Sequence, residues 1–230
     1  MASTACDQQA GAGSIPSTAL QVKELVVKPI PWQVAKAIFE RHHYLHSQPG
    51  GTLFSFGVFL GGRLLGALCF TRGPAHAYEL VEGAAMRDCA TLSRLWLADE
   101  LPPNSESRVL GITLRALRRH TSLKFLISYA DPSQGHLGTI YQATGWLYTG
   151  LSGAMPLYDL GDGVGRHSRS LSNGFGTHSL TYFLANGVAV RRVPQAAKHR
   201  YVYCLDPGWR SRLKIPVLPY PKKEVLGGGR

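Results

Sequence analysis

The stretch that most constrains this chain is residues 123–131, an apolar run that ends on Asp131 and Pro132. A run of β-formers halted by a carboxylate and a proline predicts a buried strand that delivers Asp131 to a sheet edge. Residues 137–146 follow as a short amphipathic segment bearing Tyr141, stopped by Gly145, before a second strand over residues 146–149. Strand, short helix, Gly-aromatic and strand make a compact βαβ unit, and such units put chemistry at strand ends. Asp131 and Tyr141 are therefore the first candidate functional residues. The plainer alternatives are a turn-forming Asp and a core Tyr.

The segments before this unit supply more sheet and two helices. Residues 21–30 predict a first strand, and Pro31 suits the first turn of a helix over residues 32–44 with Ala35, Ile38, His42 and Leu45 as its buried stripe. Residues 52–60 and 63–71 flank Gly61 and Gly62, the signal of a two-residue β-hairpin. Residues 90–97 form another strand, with Leu92, Arg94 and Trp96 expected on one face. An arginine in such a strand must find an anion, structural or substrate. Asn104 or Ser105 caps a helix to about His120, whose core stripe is Leu110, Leu114 and Leu117. The order predicts an α+β (α/β) fold: a twisted mixed sheet flanked by helices.

The texture changes after Gly150. Residues 161–176 are Gly-rich and basic and suggest a long functional loop, residues 178–186 a helix or strand, and residues 198–205 a last strand interleaving basic and aromatic side chains. The expected organisation is a flexible leader (1–19), one catalytic domain (20–205) and a basic Pro-rich tail (206–230). The formal charge is +11. Residues 151–230 carry twelve Lys/Arg against four Asp/Glu, and residues 1–150 carry thirteen against ten. Excess cation gathered in the last third points to a polyanionic partner, nucleic acid above all. No apolar run approaches a membrane span. The scattered Cys6, Cys69, Cys89 and Cys204 fit reduced thiols of a cytoplasmic protein.

Arg41, His42, His43, Tyr44 and His46 crowd the end of the first helix. Imidazole and phenolate suit iron or acid–base chemistry. A solvated helix C-terminus, where His is favoured by the dipole, is the alternative.

Two resemblances follow from these residues. Ile140, Tyr141, Gly145 and Trp146 after a strand resemble the closing half of a GNAT N-acyltransferase. The ordered set of residues 41–44, 92–95, 104–107, 128–131, 140–150 and 198–203 resembles the Mom family of phage DNA-modification proteins across residues 30–205. That resemblance implies a GNAT-like fold and transfer of a carbamoylmethyl group to adenine N6 in double-stranded DNA, protecting phage DNA from restriction in the host cytoplasm. It also implies a bound iron (Fe2+). The functional positions it implies are His43, Tyr44, Arg94, Ser107, Asp131 and Tyr141, with His43, Tyr44 and Asp131 as candidate iron ligands. Asp131 is either that ligand or the group that orients or deprotonates N6.

Arg166, Arg169, Arg191, Arg192, Lys198 and Arg200 are the candidates to hold the DNA backbone. Acyltransferases of the GNAT type cradle acetyl-CoA with a Gly-rich turn at a helix N-terminus. Here that position holds Asn104, Ser105, Glu106 and Ser107, which weakens acetyl-CoA as a cofactor while leaving Ser105 and Ser107 as anion-binding candidates. The competing functions are an ordinary acyl-CoA N-acyltransferase and a non-catalytic DNA-binding accessory protein.

Overall fold

The computed structural model describes residues 22–153 and 156–222. The leader, residues 1–19, lies outside the described residues. The chain order is β1 (Val26–Pro29), α1 (Trp32–His42), β2 (Thr52–Leu60), β3 (Arg63–Thr71), β4 (Cys89–Leu97), α2 (Ser105–His120), β5 (Phe125–Ala130), α3 (Thr139–Ala143), β6 (Leu147–Leu151), β7 (Leu157–Asp159), α4 (Ser168–Phe175), α5 (Leu180–Ala185), β8 (Arg191–Val193) and β9 (His199–Cys204). Seven strands form one sheet in the order β1-β2-β3-β4-β5-β9-β6. Only β4 and β5 run parallel; the other neighbours are antiparallel. The mixed sheet with flanking helices is the α+β architecture expected from the sequence.

Strand alternation sorts the core onto two faces. On one face Leu68, Phe70, Ala90, Leu92 and Leu126 meet the buried stripe of α2, Val109, Leu110, Leu114 and Leu117, together with Tyr141 and Trp146. On the other, Ala67 and Cys69 meet Ala35 and Phe39 of α1. Farther along that face, Cys89, Phe125, Ile127 and Val202 pack with Val81, Trp209 and Leu213. The buried stripe of α1 differs from expectation. Phe39 and His43 are buried, whereas His42 and Leu45 are exposed, because α1 ends at His42 and His43 turns to extended backbone.

A bulge in β4 positions the site. Leu92 pairs with Phe70 and Arg94 with Cys69, so Ser93 is extra and the alternation inverts beyond it. Leu95 and Leu97 then share the face of Leu92, while Trp96 turns to the α1 side. The expectation of Leu92, Arg94 and Trp96 on one face is thereby corrected. The same bulge marks the divergence of β4 from β5: their pairing stops at Leu92 and Ser128 although both strands continue. Ser128, fully buried, donates its hydroxyl to the Leu92 carbonyl at the fork (3.0 Å).

Residues 157–193 form an insert between β6 and β9. Its two-stranded sheet, β7 with β8, and helices α4 and α5 enclose a small core of Tyr158, Leu171 and Phe183. The long loop expected over residues 161–176 is therefore partly helix, since residues 168–175 form α4 despite Gly174. Residues 178–186, left open between helix and strand, contain α5 with Ser179 as its cap. The tail after β9 first winds into a 3-10 helix over residues 207–212, and residues 214–222, without regular structure, dock back on the sheet. The Leu218 N–H donates to the Tyr148 carbonyl (2.8 Å) and the Tyr220 hydroxyl to the Trp146 carbonyl (2.8 Å).

Candidate active site

Where β4 and β5 part, a cleft of about 520 Å³ opens, lined by His43, Tyr44, Arg94, Ala130, His136 and Tyr141 among others. The side chains arrive from several elements. The end of α1 brings His42, His43 and Tyr44, and His42 stacks on Trp96 (4.4 Å between ring centres), which pins the helix end to the bulged strand. His43 stacks on Tyr44 (4.4 Å), and His136 meets Tyr44 edge-on (5.8 Å). His46, just beyond, holds a positive φ of 42°, a left-handed backbone unusual for a non-glycine residue.

His43 is buried, and its Nδ1 accepts the Leu45 N–H (3.1 Å). Burial, with Arg94, His136 and His46 nearby, lowers its pKa to about 4. The ring is neutral near pH 7, and with Nδ1 accepting it carries its proton on Nε2. Tyr44, 43 % exposed, has its pKa raised by burial and by Asp131, against an opposing pull from Arg94, so it stays a phenol.

Arg94 donates through Nε to the Ser47 carbonyl (3.2 Å), through one terminal nitrogen to the Ser93 carbonyl (2.8 Å), and through the other to Ser47 Oγ (3.3 Å). Among the described residues no carboxylate meets it, and two of the five N–H groups of a guanidinium stay free. The anion expected of Arg94 is thus not a structural one.

Tyr141 is buried against Trp146 and Tyr201, with its hydroxyl 2.8 Å from Ser128 Oγ at the fork. Burial raises its pKa to about 12. Asp131 sits at the rim rather than in the wall. Its Oδ1 accepts the Ser133 N–H (3.0 Å) and hydroxyl (2.6 Å), and its Oδ2 faces Lys198 Nζ (3.0 Å). Burial opposes its ionisation, but the bonds from Ser133 and Lys198 outweigh burial and keep the carboxyl below its usual range. His43, Tyr44, Arg94, Asp131 and Tyr141 therefore converge, as the sequence led one to expect.

Ser107 and Ser105 do not join them. Ser107 lines a separate hollow with Asn104, Arg108, Arg115 and Thr144, and its hydroxyl donates to the Asn104 carbonyl (3.0 Å). Ser105 is buried and donates to the Pro102 carbonyl (2.6 Å). Asn104 precedes α2 in left-handed backbone with no side-chain cap, and Glu106 reaches the cleft. With both hydroxyls bound locally and a carboxylate at that mouth, this helix start is a poor cradle for a CoA pyrophosphate.

The iron candidates are engaged within the protein as arranged: His43 Nδ1 accepts the Leu45 N–H, both Asp131 oxygens are bonded, and no group of three or more His, Cys, Asp or Glu suited to a metal occurs among the described residues.

The basic candidates are largely paired. Arg166 is held by Asp162, Arg191 by Asp159 (2.7 Å), Lys198 by Asp131, and Arg200 donates to Thr149 Oγ1 (3.0 Å) and the Thr149 carbonyl (3.0 Å). Arg192 is exposed on β8. Arg169 belongs to α4, with its side chain outside the described part of the structure. Cys69, Cys89 and Cys204 are free thiols, and Cys6 lies outside the described residues. No helix among the described residues is long and apolar enough to cross a membrane.

Sequence reasoning missed His136 and Ser128. His136 follows Asp131 by five residues on a polar turn, and its nearness to a strand-end carboxylate was the available signal. Ser128 stands inside an apolar run, where a lone hydroxyl needs a partner.

The model of the Mom protein family matches residues 24–222. The chain is 31% identical over 212 residues to the methylcarbamoylase Mom of Escherichia phage Mu, covering 87% of this chain and 85% of that protein. Among solved structures it is similar to a putative acetyltransferase of Salmonella typhimurium with its cofactor acetyl-CoA (TM-score 0.46, 10% identity, 80% of this chain and 95% of that one). It is also similar to an N-acyl amino acid synthase from uncultured soil microbes (TM-score 0.44, 15% identity, 83% and 95%). The chain belongs to the Mom protein family.

Proposed function

We propose that this protein is a DNA-modifying transferase that adds a carbamoylmethyl group to adenine N6, shielding phage DNA from restriction in the host cytoplasm. The observation that carries the reading is the likeness to the phage Mu methylcarbamoylase across 85% of that protein. The net charge of +11 suits a polyanionic substrate.

The cleft chemistry supports the same reading. Adenine N6 is a weak nucleophile because its lone pair is delocalised into the ring. It needs an activated electrophile, a proton acceptor and a base brought out of the stack. Tyr44, backed by His43, offers a half-exposed ring on which a flipped purine stacks. The two free N–H groups of Arg94 and the Nε2–H of His43 donate to the amide oxygen of the incoming group. The N6–CH2 bond forms as the donor's leaving group departs with its electron pair, and the N6 proton passes to His136, whose ring makes no hydrogen bond among the described residues. Asp131 acts as a positioning group: it orders the turn carrying His136 through Ser133 and the Asp131 carbonyl, which accepts the His136 N–H (3.1 Å). No step here runs through iron.

The test is mass spectrometry of nucleosides from cells expressing the protein, with Asp131→Ala as control. The expected result is deoxyadenosine heavier by one carbamoylmethyl group, lost in the variant. Unmodified deoxyadenosine from the wild type overturns the proposal.

A further inference from the structure

The insert leaves outside what a unit with so small a core would normally bury. Its core is three buried side chains, Tyr158, Leu171 and Phe183, with Leu160, Leu180, Val188 and Val190 packed partly buried against them. Phe175 and Tyr182 both stand edge-on to Phe183 (5.2 and 5.6 Å) yet remain 51% and 47% exposed. Two half-exposed aromatic rings bordering one buried ring make a patch that stability does not require.

The charges of the insert select the partner. Both carboxylates of the insert are neutralised within it. Buried Asp159 takes the N–H groups of Gly161 and Gly163 (2.9 Å each) and Arg191 Nε (2.8 Å), and Asp162 holds Arg166. What projects outward is cationic. The Arg191 side chain is 74% exposed beyond its bond, and the Arg192 side chain has no ion pair or hydrogen bond among the described residues. A unit that exposes aromatic rings and arginines and leaves no carboxylate free complements a phosphate backbone and stacked bases.

The stem roots the insert at the rim of the site. The Ser152 N–H donates to the Lys198 carbonyl (2.7 Å), the Lys198 N–H donates to Ser152 Oγ (3.0 Å), and the Lys198 ammonium meets Asp131 at the cleft rim. A base inside a duplex is out of reach of the cleft until it is unstacked, which costs a few kcal/mol per step, and an apolar wedge supplies that work. Resting on the DNA-modification reading above, we propose that residues 157–193 are the arm that grips duplex DNA, with Phe175 and Tyr182 entering the base stack beside the target adenine.

The test uses the full chain and a duplex carrying a fluorescent adenine analogue whose emission rises on unstacking. Wild type raises the emission. Phe175→Ser with Tyr182→Ser weakens duplex binding by about tenfold and abolishes the rise. Arg192→Ala keeps the rise but lowers the slope of log affinity against log salt by about one. Unchanged circular dichroism and main melting transition verify that each variant is folded.

Wild-type binding and unstacking by the aromatic variant overturn the arm. A wild-type dimer that the variant makes monomeric, with DNA binding intact, overturns it too, since the patch then serves self-association. If cells expressing the wild type yield modified adenine while the arm variant behaves as wild type, only the arm fails. If the wild type neither modifies nor binds DNA, the functional reading fails, and the arm with it.

Discussion

The sheet body and the insert solve the packing problem differently. The body buries long rows of Leu, Phe and Trp on both faces of seven strands, and opens its main cleft where two parallel neighbours part beside a bulge. The insert closes around three side chains and keeps its rings half outside. The difference teaches where rigidity was needed. The side chains of the cleft sit where strand pairing has just ended, braced by packed layers. The exposed rings of the insert sit on a unit whose own core is small.

The most forceful way to break this contrast is to excavate each core in turn. Trp146→Ala, in the fully buried aromatic cluster behind Tyr141, is expected to cost about 3–5 kcal/mol. It should lower the midpoint of the main urea transition. Phe183→Ala removes an equally buried ring but is expected to raise amide exchange only within residues 157–193. Global unfolding of that variant would mean the two regions are one cooperative unit.

Within the body, Asp131→Ala is expected to lower adenine modification by about a hundredfold or more, measured on duplex substrate, because it releases both the Ser133 turn and Lys198. Gly138→Ala sharpens the point at lower cost. Gly138 has φ +75°, and a Cβ there collides with the ring of Tyr201, so about 1–3 kcal/mol of stability should go, read as a lower melting temperature.

The pH dependence separates the regions again. His43 has a folded pKa of about 4 against an ordinary 6.5, so the folded state binds fewer protons than the unfolded chain between those values. Its contribution is complete above pH 6.5 and is lost as pH falls toward 4. Denaturant midpoints of the body should fall over that window, and His43→Asn, which keeps an acceptor for the Leu45 N–H, should flatten the fall. The smallest effect is expected at Ser107, whose hydroxyl is bound to its own helix turn away from the cleft. Ser107→Ala should leave modification within about twofold of wild type.

Local chemistry was legible in the sequence where a residue's role depends on its neighbours in the chain. The Gly61-Gly62 hairpin, the leucine stripe of α2 and the unit running from residue 123 through Asp131 and Tyr141 to residue 149 all emerged from period and punctuation. So did the meeting of His43, Tyr44, Arg94 and Asp131, through the family's ordered motifs. What stayed hidden depends on distant partners. The bulge at Ser93 is a property of the pairing between β3 and β4, and no period in β4 alone announces it. The burial of His43 rather than His42 follows from where α1 stops against Trp96. The internal pairing of Arg166 and Arg191 was invisible because a count of charges does not say which ones meet. Likewise α4 hid in a Gly-rich stretch whose helix is held by Leu171 inside a core assembled from four segments.

The position of β9 between β5 and β6 has a consequence for how the protein comes into being on the ribosome. The two strands flanking it are translated first and must wait, edges bare, for a segment made some fifty residues later than β6. Lys198, which restrains Asp131, emerges with that segment. A nascent chain stalled anywhere before it therefore holds neither a closed sheet nor a finished cleft rim, and both are completed late in synthesis.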